Sequence, residues 1–483
     1  MGTPPEVSSA GASTPLAALP IAELGRRLRT GGLSAVELAT HCLERLERLG
    51  PQYNALVTLM RESALEDARR ADAELRAGQD RGPLHGIPYG AKDLLATRGH
   101  PTTWGFRPYA NRVIDADAAV VERLREAGAV LVAKLAMVEF AGGMKYDHPA
   151  QSCYLGGAVN PWHAGAWTGG SSSGSGAAVA AGLVPFAIGT ETHGSITSPA
   201  SFCGVTGLRP GFGRVSRRGC MALSWTLDKI GPLARTAHDA GLVLAAISGP
   251  DAEDETTLPD PFEFAPQAPL PARNGARPRL CVLRDHVGAP DQPEVQANFR
   301  AALEAMGDSV EVVEDTLPEL PYHEVVMTIL FAEAGAAFPQ LTEDGLAAEL
   351  SAPECRAVPW ALTTIPAQAY VNALRWRRRM HRVLAPWLAR YDAIVTPTTT
   401  KVAPPLDRTF TEYYGRYRRL NILALGNLLG WPAISLPNGV GERGLPTAFQ
   451  FVGAPGSENT LLALAGHYQA HTQWHTRLPA GVE

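Results

Sequence analysis

Cysteine is scarce in this chain: six residues in 483, Cys42, Cys153, Cys203, Cys220, Cys281 and Cys355, lie far apart and form no CxxC pair. That pattern excludes a disulfide framework and a cysteine-rich zinc site. Long apolar runs are missing too, with no window of about 18 apolar residues to suggest a membrane span. The opening MGTPPEVSSAGASTPLAALP has neither the basic start nor the apolar stretch of a secretory leader, so residues 1–20 read as a flexible lead on a cytoplasmic protein. Basic charge is not in excess: 43 Lys plus Arg stand against 48 Asp plus Glu, a net charge of −5. On that balance neither nucleic acid nor a membrane surface is expected as a partner. A chain 45% hydrophobic and 19% charged can build a sizeable core. Small-molecule chemistry is therefore the expectation.

Ser34-Ala35-Val36-Glu37 has the spacing of a capping box and predicts a helix that Gly50 closes. A second, alanine-rich helix is expected from about Glu62 to Ala77. Short apolar runs such as Val130-Leu131-Val132-Ala133 suit buried strands, and helical patterns such as Ala118 to Ala127 precede them. Further strands are expected at LCVLRD, DAIVTPT, PAISLP and AFQFVG, with helices from Glu294 to Met306 and from Asn459 to Trp474. The alternation predicts an α/β fold, an open twisted mixed sheet with helices on both faces. The acidic, proline-rich stretch 250–278 reads as a surface loop or linker, and 321–388 as a mostly helical region without an interpretable motif.

The most unusual stretch is TGGSSSGSGAAVAA from Thr168 to Ala181, followed by GTETHGSITSPASFCG from Gly189 to Gly204. Gly169 and Gly174 have P-loop spacing, but Ser175 stands where the phosphate-binding lysine belongs. Gly170-Ser171-Ser172-Ser173-Gly174 matches a nucleophile elbow with Ser172 as nucleophile, which needs a preceding strand; HAGAWT is a poor candidate for one. A third segment, His85-Gly86-Ile87-Pro88-Tyr89-Gly90-Ala91-Lys92-Asp93, sets Lys92 after a short apolar strand.

Taken together the three segments resemble the amidase signature hydrolases, whose hallmarks are a Gly-Gly-Ser-Ser-Gly-Gly-type loop, a downstream G-T-[DE]-x-x-G-S-[IV] and an upstream G-I-P-x-x-x-K-D. Segments DADAAVVERLREAGAVLVAK, AVNPW, GVTGLRP, GRVSRRG, LDKIGPLART, YDAIVTPTT and GWPAISLPNG extend the likeness in the family's order. The resemblance implies a single domain over residues 21–483, with Ser195 as nucleophile, Ser171, after a cis peptide, as bridging serine and Lys92 as base. It implies that the amides of Thr192, His193, Gly194 and Ser195 form an oxyanion hole, and that Met144 offers its carbonyl to the ligand or is a core residue. No metal or organic cofactor is implied. The partner is a small-molecule amide, and a homodimer fits the family.

The chemistry suits these residues. A serine hydroxyl needs a base to take its proton as it attacks. A lysine serves only when neutral, which burial achieves by lowering its pKa from about 10.4. Asp93, next to Lys92 on a strand, points to the other face and reads as structural. His193 and Thr197 depart from the family's usual Gly-Gly-Ser-Ile-Arg run, and Ser173 stands where glycine is usual. These departures weigh against the alternative within the family, the glutaminase (A) subunit of a tRNA-dependent amidotransferase. Two rivals come from other classes. A metal-binding protein is suggested by His467, His471 and His475, though eight residues of helix rise about 12 Å, too far for one ion. A non-catalytic relative is opposed by the intact Lys92, Ser171 and Ser195. Specificity is expected from 321–388 and Phe410 to Tyr417, where Trp360, Tyr370, Trp376, Tyr413 and Tyr414 would suit an aryl or hydrophobic amide.

Overall fold

The Ser34 hydroxyl accepts from the Glu37 amide while the Glu37 carboxylate accepts from the Ser34 amide, and this reciprocal cap opens the helix Ala35–Leu49. In this computed structural model, which describes residues 14–266, 270, 276–287, 292–415 and 421–482, the second helix is Arg61–Arg76. Its Asp72 carboxylate accepts from the Ala35 amide at 2.6 Å and so fastens the two helices together. Of the expected lead, residues 1–13 lie outside the described residues, as do 416 and 417 of the expected specificity segment. Leu16–Ala18 already form a 3-10 turn with Ala17 buried, so packing begins ahead of Ile21.

Thirteen strands run through the described residues: β1 (Leu56–Leu59), β2 (Pro88–Lys92), β3 (Val130–Leu135), β4 (Val159–Asn160), β5 (His163–Trp167), β6 (Phe186–Glu191), β7 (Thr206–Arg209), β8 (Lys229–Ala234), β9 (Arg279–Leu283), β10 (Glu311–Asp315), β11 (Ala393–Pro397), β12 (Ala433–Val440) and β13 (Pro446–Val452). Eleven form one mixed sheet in the order β1-β3-β2-β6-β8-β7-β12-β13-β11-β9-β10, as expected of an α/β fold. β2 lies parallel between β3 and β6, and β6 pairs antiparallel with β8. Every residue of β2, β3, β6 and β8 is buried, so both faces of this part of the sheet are covered and the charged residue that each strand carries is shut inside.

One expectation needs correction. HAGAWT is a strand: β5 pairs with β4 in a separate two-stranded ribbon, and Ala166 bridges to Pro405. Its exposed first half hid the pattern. The acidic stretch after Pro250 is tied down over its described part. Asp251 accepts from Ser216 Oγ and Arg218 Nε, and Asp254 from the Arg217 amide, so its acids answer the arginines of GRVSRRG. The helix Ala367–Leu388 carries Arg375, Arg377, Arg378, Arg379 and Arg382 and no acidic residue, a basic run that the chain's net charge averaged away. No helix of the described residues is long and apolar enough to cross a membrane.

The sheet positions the serine-rich loop by close backbone approach. Gly174, in the helix Ser173–Ala180, donates its amide to the Ala136 carbonyl at 2.8 Å. A Cβ there would fall 2.5 Å from Ala136 N and 2.6 Å from Ala55 O. Gly174→Ala is therefore expected to destabilise the fold by about 1–3 kcal/mol, read as a lower midpoint in thermal unfolding followed by circular dichroism.

Candidate active site

Lys92 ends β2 and is wholly buried. Its Nζ lies 2.8 Å from Ser171 Oγ and 2.9 Å from Thr190 Oγ1, with the Thr190 carbonyl at 3.5 Å. No carboxylate touches it, and burial pulls its pKa down to about 7. A neutral amine has two N–H donors and one lone pair, which matches these partners: Thr190 takes the donors and the Ser171 hydroxyl can donate to the lone pair. Asp93, one residue on, faces the other way and forms a buried pair with Lys134 at 3.1 Å while accepting from the Thr103 amide.

The peptide between Gly170 and Ser171 is cis. The Ser171 carbonyl accepts from the Val138 amide. Ser172 is fully buried, and its hydroxyl bridges the Thr190 carbonyl and amide at 3.2 Å each. Ser173 and Ser175 donate to the Ala136 and Ile188 carbonyls. Although strand β5 precedes this loop and a helix follows, the Ser172 hydroxyl is thus spent on the backbone of β6. The Ser171 hydroxyl faces Lys92.

Ser195 lies in the turn between β6 and the helix Thr197–Cys203, 7% exposed, and its carbonyl accepts from the Ser172 amide at 3.3 Å. Its hydroxyl makes no hydrogen bond among the described residues. The structure thus joins Lys92 to Ser171 and brings Ser195 beside the same loop without a bond between the two hydroxyls. Glu191 organises the turn. Its carboxylate accepts from the Ile196 and Thr197 amides at 2.9 Å each, the Thr197 hydroxyl, Arg209 at 2.6 Å and Asn427 at 2.9 Å. Burial alone would raise the Glu191 pKa, but the charges of Arg209 and Lys229 with these hydrogen bonds hold it well below the usual range.

Thr192 donates to Asp228 Oδ1 at 2.5 Å, and Asp228 also accepts from the Leu223 and Ser224 amides. Burial raises the Asp228 pKa, and burial together with the Arg209 charge pushes Lys229 well below the ordinary lysine value. The Gly194 backbone is left-handed, φ 93°, which keeps the turn tight. The His193 ring sits 6.5 Å from that of His323, on the helix Tyr322–Ala337. The Met144 side chain packs into the main core. His471 Nδ1 meets the His467 carbonyl at 2.8 Å and His475 falls in a later 3-10 turn, so the histidine row does not converge. Among the described residues no group of three His, Cys, Asp or Glu side chains is placed to hold a metal.

Thr190, Glu191 and Asp228 were missed by sequence reasoning. Thr190 and Glu191 lie inside the GTETHGS segment, and alternation along β6 sends one toward Lys92 and the other toward Arg209. Asp228 begins the DKIGP of LDKIGP, where an Asp-Lys pair leading into an apolar strand was a signal of buried charge.

The arrangement is that of a hydroxyl held against a buried amine whose pKa burial lowers, with a second serine in a backbone turn alongside. The model of the family described as Amidase matches residues 37–462, and the chain belongs to this amidase signature family. The fold is accordingly a single amidase signature domain. The glutamyl-tRNA(Gln) amidotransferase (A) subunit of Chloroflexus aggregans is 37% identical over 94% of this chain and 96% of its own length. The native peptide amidase of Stenotrophomonas maltophilia superposes with a TM-score of 0.82 at 30% identity, covering 97% of this chain and 99% of that one. The glutamyl-tRNA(Gln) amidotransferase (A) subunit of Thermotoga maritima superposes with a TM-score of 0.74 at 28% identity over 92% and 93%.

Glu191→Gln leaves Arg209 buried without its carboxylate. A loss of about 3–5 kcal/mol in urea unfolding is expected.

Proposed function

We propose that this chain hydrolyses a carboxylic amide to acid and amine or ammonia through an acyl-enzyme on Ser195. The observation that carries the reading is the 2.8 Å contact between Ser171 Oγ and a Lys92 amine whose burial keeps it near neutrality. Lys92 takes the Ser171 proton as Ser171 takes that of Ser195, and the Ser195 oxygen attacks the amide carbon. The Thr192–Ser195 amides receive the oxyanion, where one such donor is worth about 3–4 kcal/mol. The C–N bond then breaks, Ser171 returns its proton to the leaving nitrogen, and water releases the acid by the same steps in reverse. Catalytic hydrogen bonds often close only around substrate, and the proposal takes the Ser195–Ser171 contact to be one of these. The steps require no cofactor.

A second reading has specific support in the 37% identity to the (A) subunit of an amidotransferase across nearly the whole chain. As a glutaminase, the chain would use the same serine on glutamine and pass the ammonia to a partner protein. Ammonia release from glutamine, measured beside a panel of aryl, aliphatic, fatty and amino-acid amides, separates the two. Glutamine turned over to the exclusion of the rest favours the glutaminase; turnover of other amides favours the free-standing amidase.

In either reading Lys92 must be unprotonated to work. Its pKa is depressed, so activity is expected to rise with pH and level off above about 7. Ser195→Ala is expected to lower kcat at least about a thousandfold with circular dichroism unchanged, and Lys92→Ala nearly as far. A flat pH profile with chemistry rate-limiting contradicts Lys92 as base.

A further inference from the structure

β6 and β8 pair antiparallel as far as Glu191 opposite Lys229, and there the ladder stops. The next residue along the first strand is Thr192 and the one facing it is Asp228, and a side-chain bond takes the ladder's place: the Thr192 hydroxyl donates to Asp228 Oδ1 at 2.5 Å. Both residues are buried, 5% and 6% exposed. Alternation along β6 puts the Thr192 side chain on the face where Thr190 meets Lys92, and Thr190, Thr192 and Asp228 line one small cavity.

Asp228 comes to this bond already fixed. Its Oδ2 accepts from the amides of Leu223 at 2.8 Å and Ser224 at 2.9 Å, and its own amide donates to the Ser224 carbonyl at 3.0 Å. Glu333 in turn holds the Ser224 hydroxyl and the Thr226 amide. The turn that follows Thr192 is thus tied at both ends, upstream by the Thr192 hydroxyl and downstream by the Ile196 and Thr197 amides on Glu191. Between these ties the amides of Gly194 and Ser195 donate to no acceptor among the described residues, so the ends set their direction.

We infer that Asp228 is a positioning residue for the oxyanion hole: by holding the Thr192 hydroxyl it fixes the upstream end of the turn, and with it the direction of the amides from Thr192 to Ser195. The inference rests on the amidase reading and holds for either class of substrate. The donors of an oxyanion hole act because they are aimed before the charge develops, and a misplacement of about 1 Å costs about a hundredfold in rate. Loosening the tie therefore slows the attack by Ser195 and leaves ground-state binding as it is, since the Thr192 hydroxyl is spent on Asp228.

The test follows phosphonylation of Ser195 by a fluorophosphonate with intact-mass spectrometry, which yields a limiting rate constant, kinact, and a binding constant, KI, before any substrate is known. The phosphoryl oxygen gains charge as Ser195 attacks and draws on the same amides. In Thr192→Val, which keeps the shape and removes the hydroxyl, kinact is expected to fall at least about tenfold with KI within about threefold of wild type and circular dichroism unchanged. Thr192→Ser, which returns the hydroxyl, is expected to recover most of that loss. Asp228→Asn lowers kinact as well, and combined with Thr192→Val it lowers it no further than the slower single variant. Labelling of Thr192→Val at the wild-type rate overturns the inference. So does Thr192→Ser no faster than Thr192→Val, or a double variant in which the two losses multiply. Where Asp228→Asn does not fold, the two Thr192 variants decide. Wild-type protein that takes no fluorophosphonate at Ser195 marks the failure of the amidase reading itself, and the inference falls with it.

Discussion

An amine with no carboxylate in contact among the described residues, shut inside an eleven-stranded sheet, is the constraint on which the rest of this molecule turns. Charged, Lys92 would be costly at that place; neutral, it is a base with a lone pair to offer. Its neighbours fit that state, since hydroxyls and a carbonyl surround it at the edge where β2 meets β6. The strands on either side keep water away, and the serine-rich loop is stitched to the same strand by Ser172 and Ser175. Moving the loop would move the hydroxyl away from the amine, so sheet and site are one piece of construction.

A second buried charge does the complementary work. Glu191 leaves β6 on the face opposite Thr190 and gathers the amides that begin the next helix, so the turn carrying Ser195 is shaped by a carboxylate that Arg209 compensates. The neighbouring Asp228 fixes Thr192 in that turn, while Glu333 of the helix Tyr322–Ala337 accepts from Thr226 N and Oγ1 and from Tyr370. The helical region 321–388 therefore reaches the site's surroundings through hydrogen bonds to the segment that holds Asp228.

Much of this was legible beforehand. The strand ending in Lys92 announced itself as a short apolar run, and the Ser34 cap, the helix it opens and the strands around Val130, Ile394 and Phe449 follow local pattern alone. Thr190 did not, because its part depends on which strand lies next to β2, a long-range pairing that no local pattern encodes. The β4–β5 ribbon was hidden for the same reason. Its first residues are exposed, and its identity as a strand comes from its partner. Of the aromatic residues singled out for the substrate, Trp360 is exposed, Tyr370 bonds Glu333 and Trp376 lies under Arg379. Tyr413 and Tyr414 lie edge to face 4.9 Å apart, with Phe410 6.3 Å from Tyr414. Averaging charge over the whole chain also concealed the basic face of the helix Ala367–Leu388.

The central claim is that Ser195, and no serine of the neighbouring loop, bears the acyl group. Intact-mass spectrometry after treatment with a fluorophosphonate tests it most directly on wild type, Ser195→Ala and Ser172→Ala. One adduct per chain that disappears in Ser195→Ala alone is the predicted result. An adduct that survives in Ser195→Ala and disappears in Ser172→Ala would contradict the account and make the strand, turn and helix around Ser172 the nucleophile's seat.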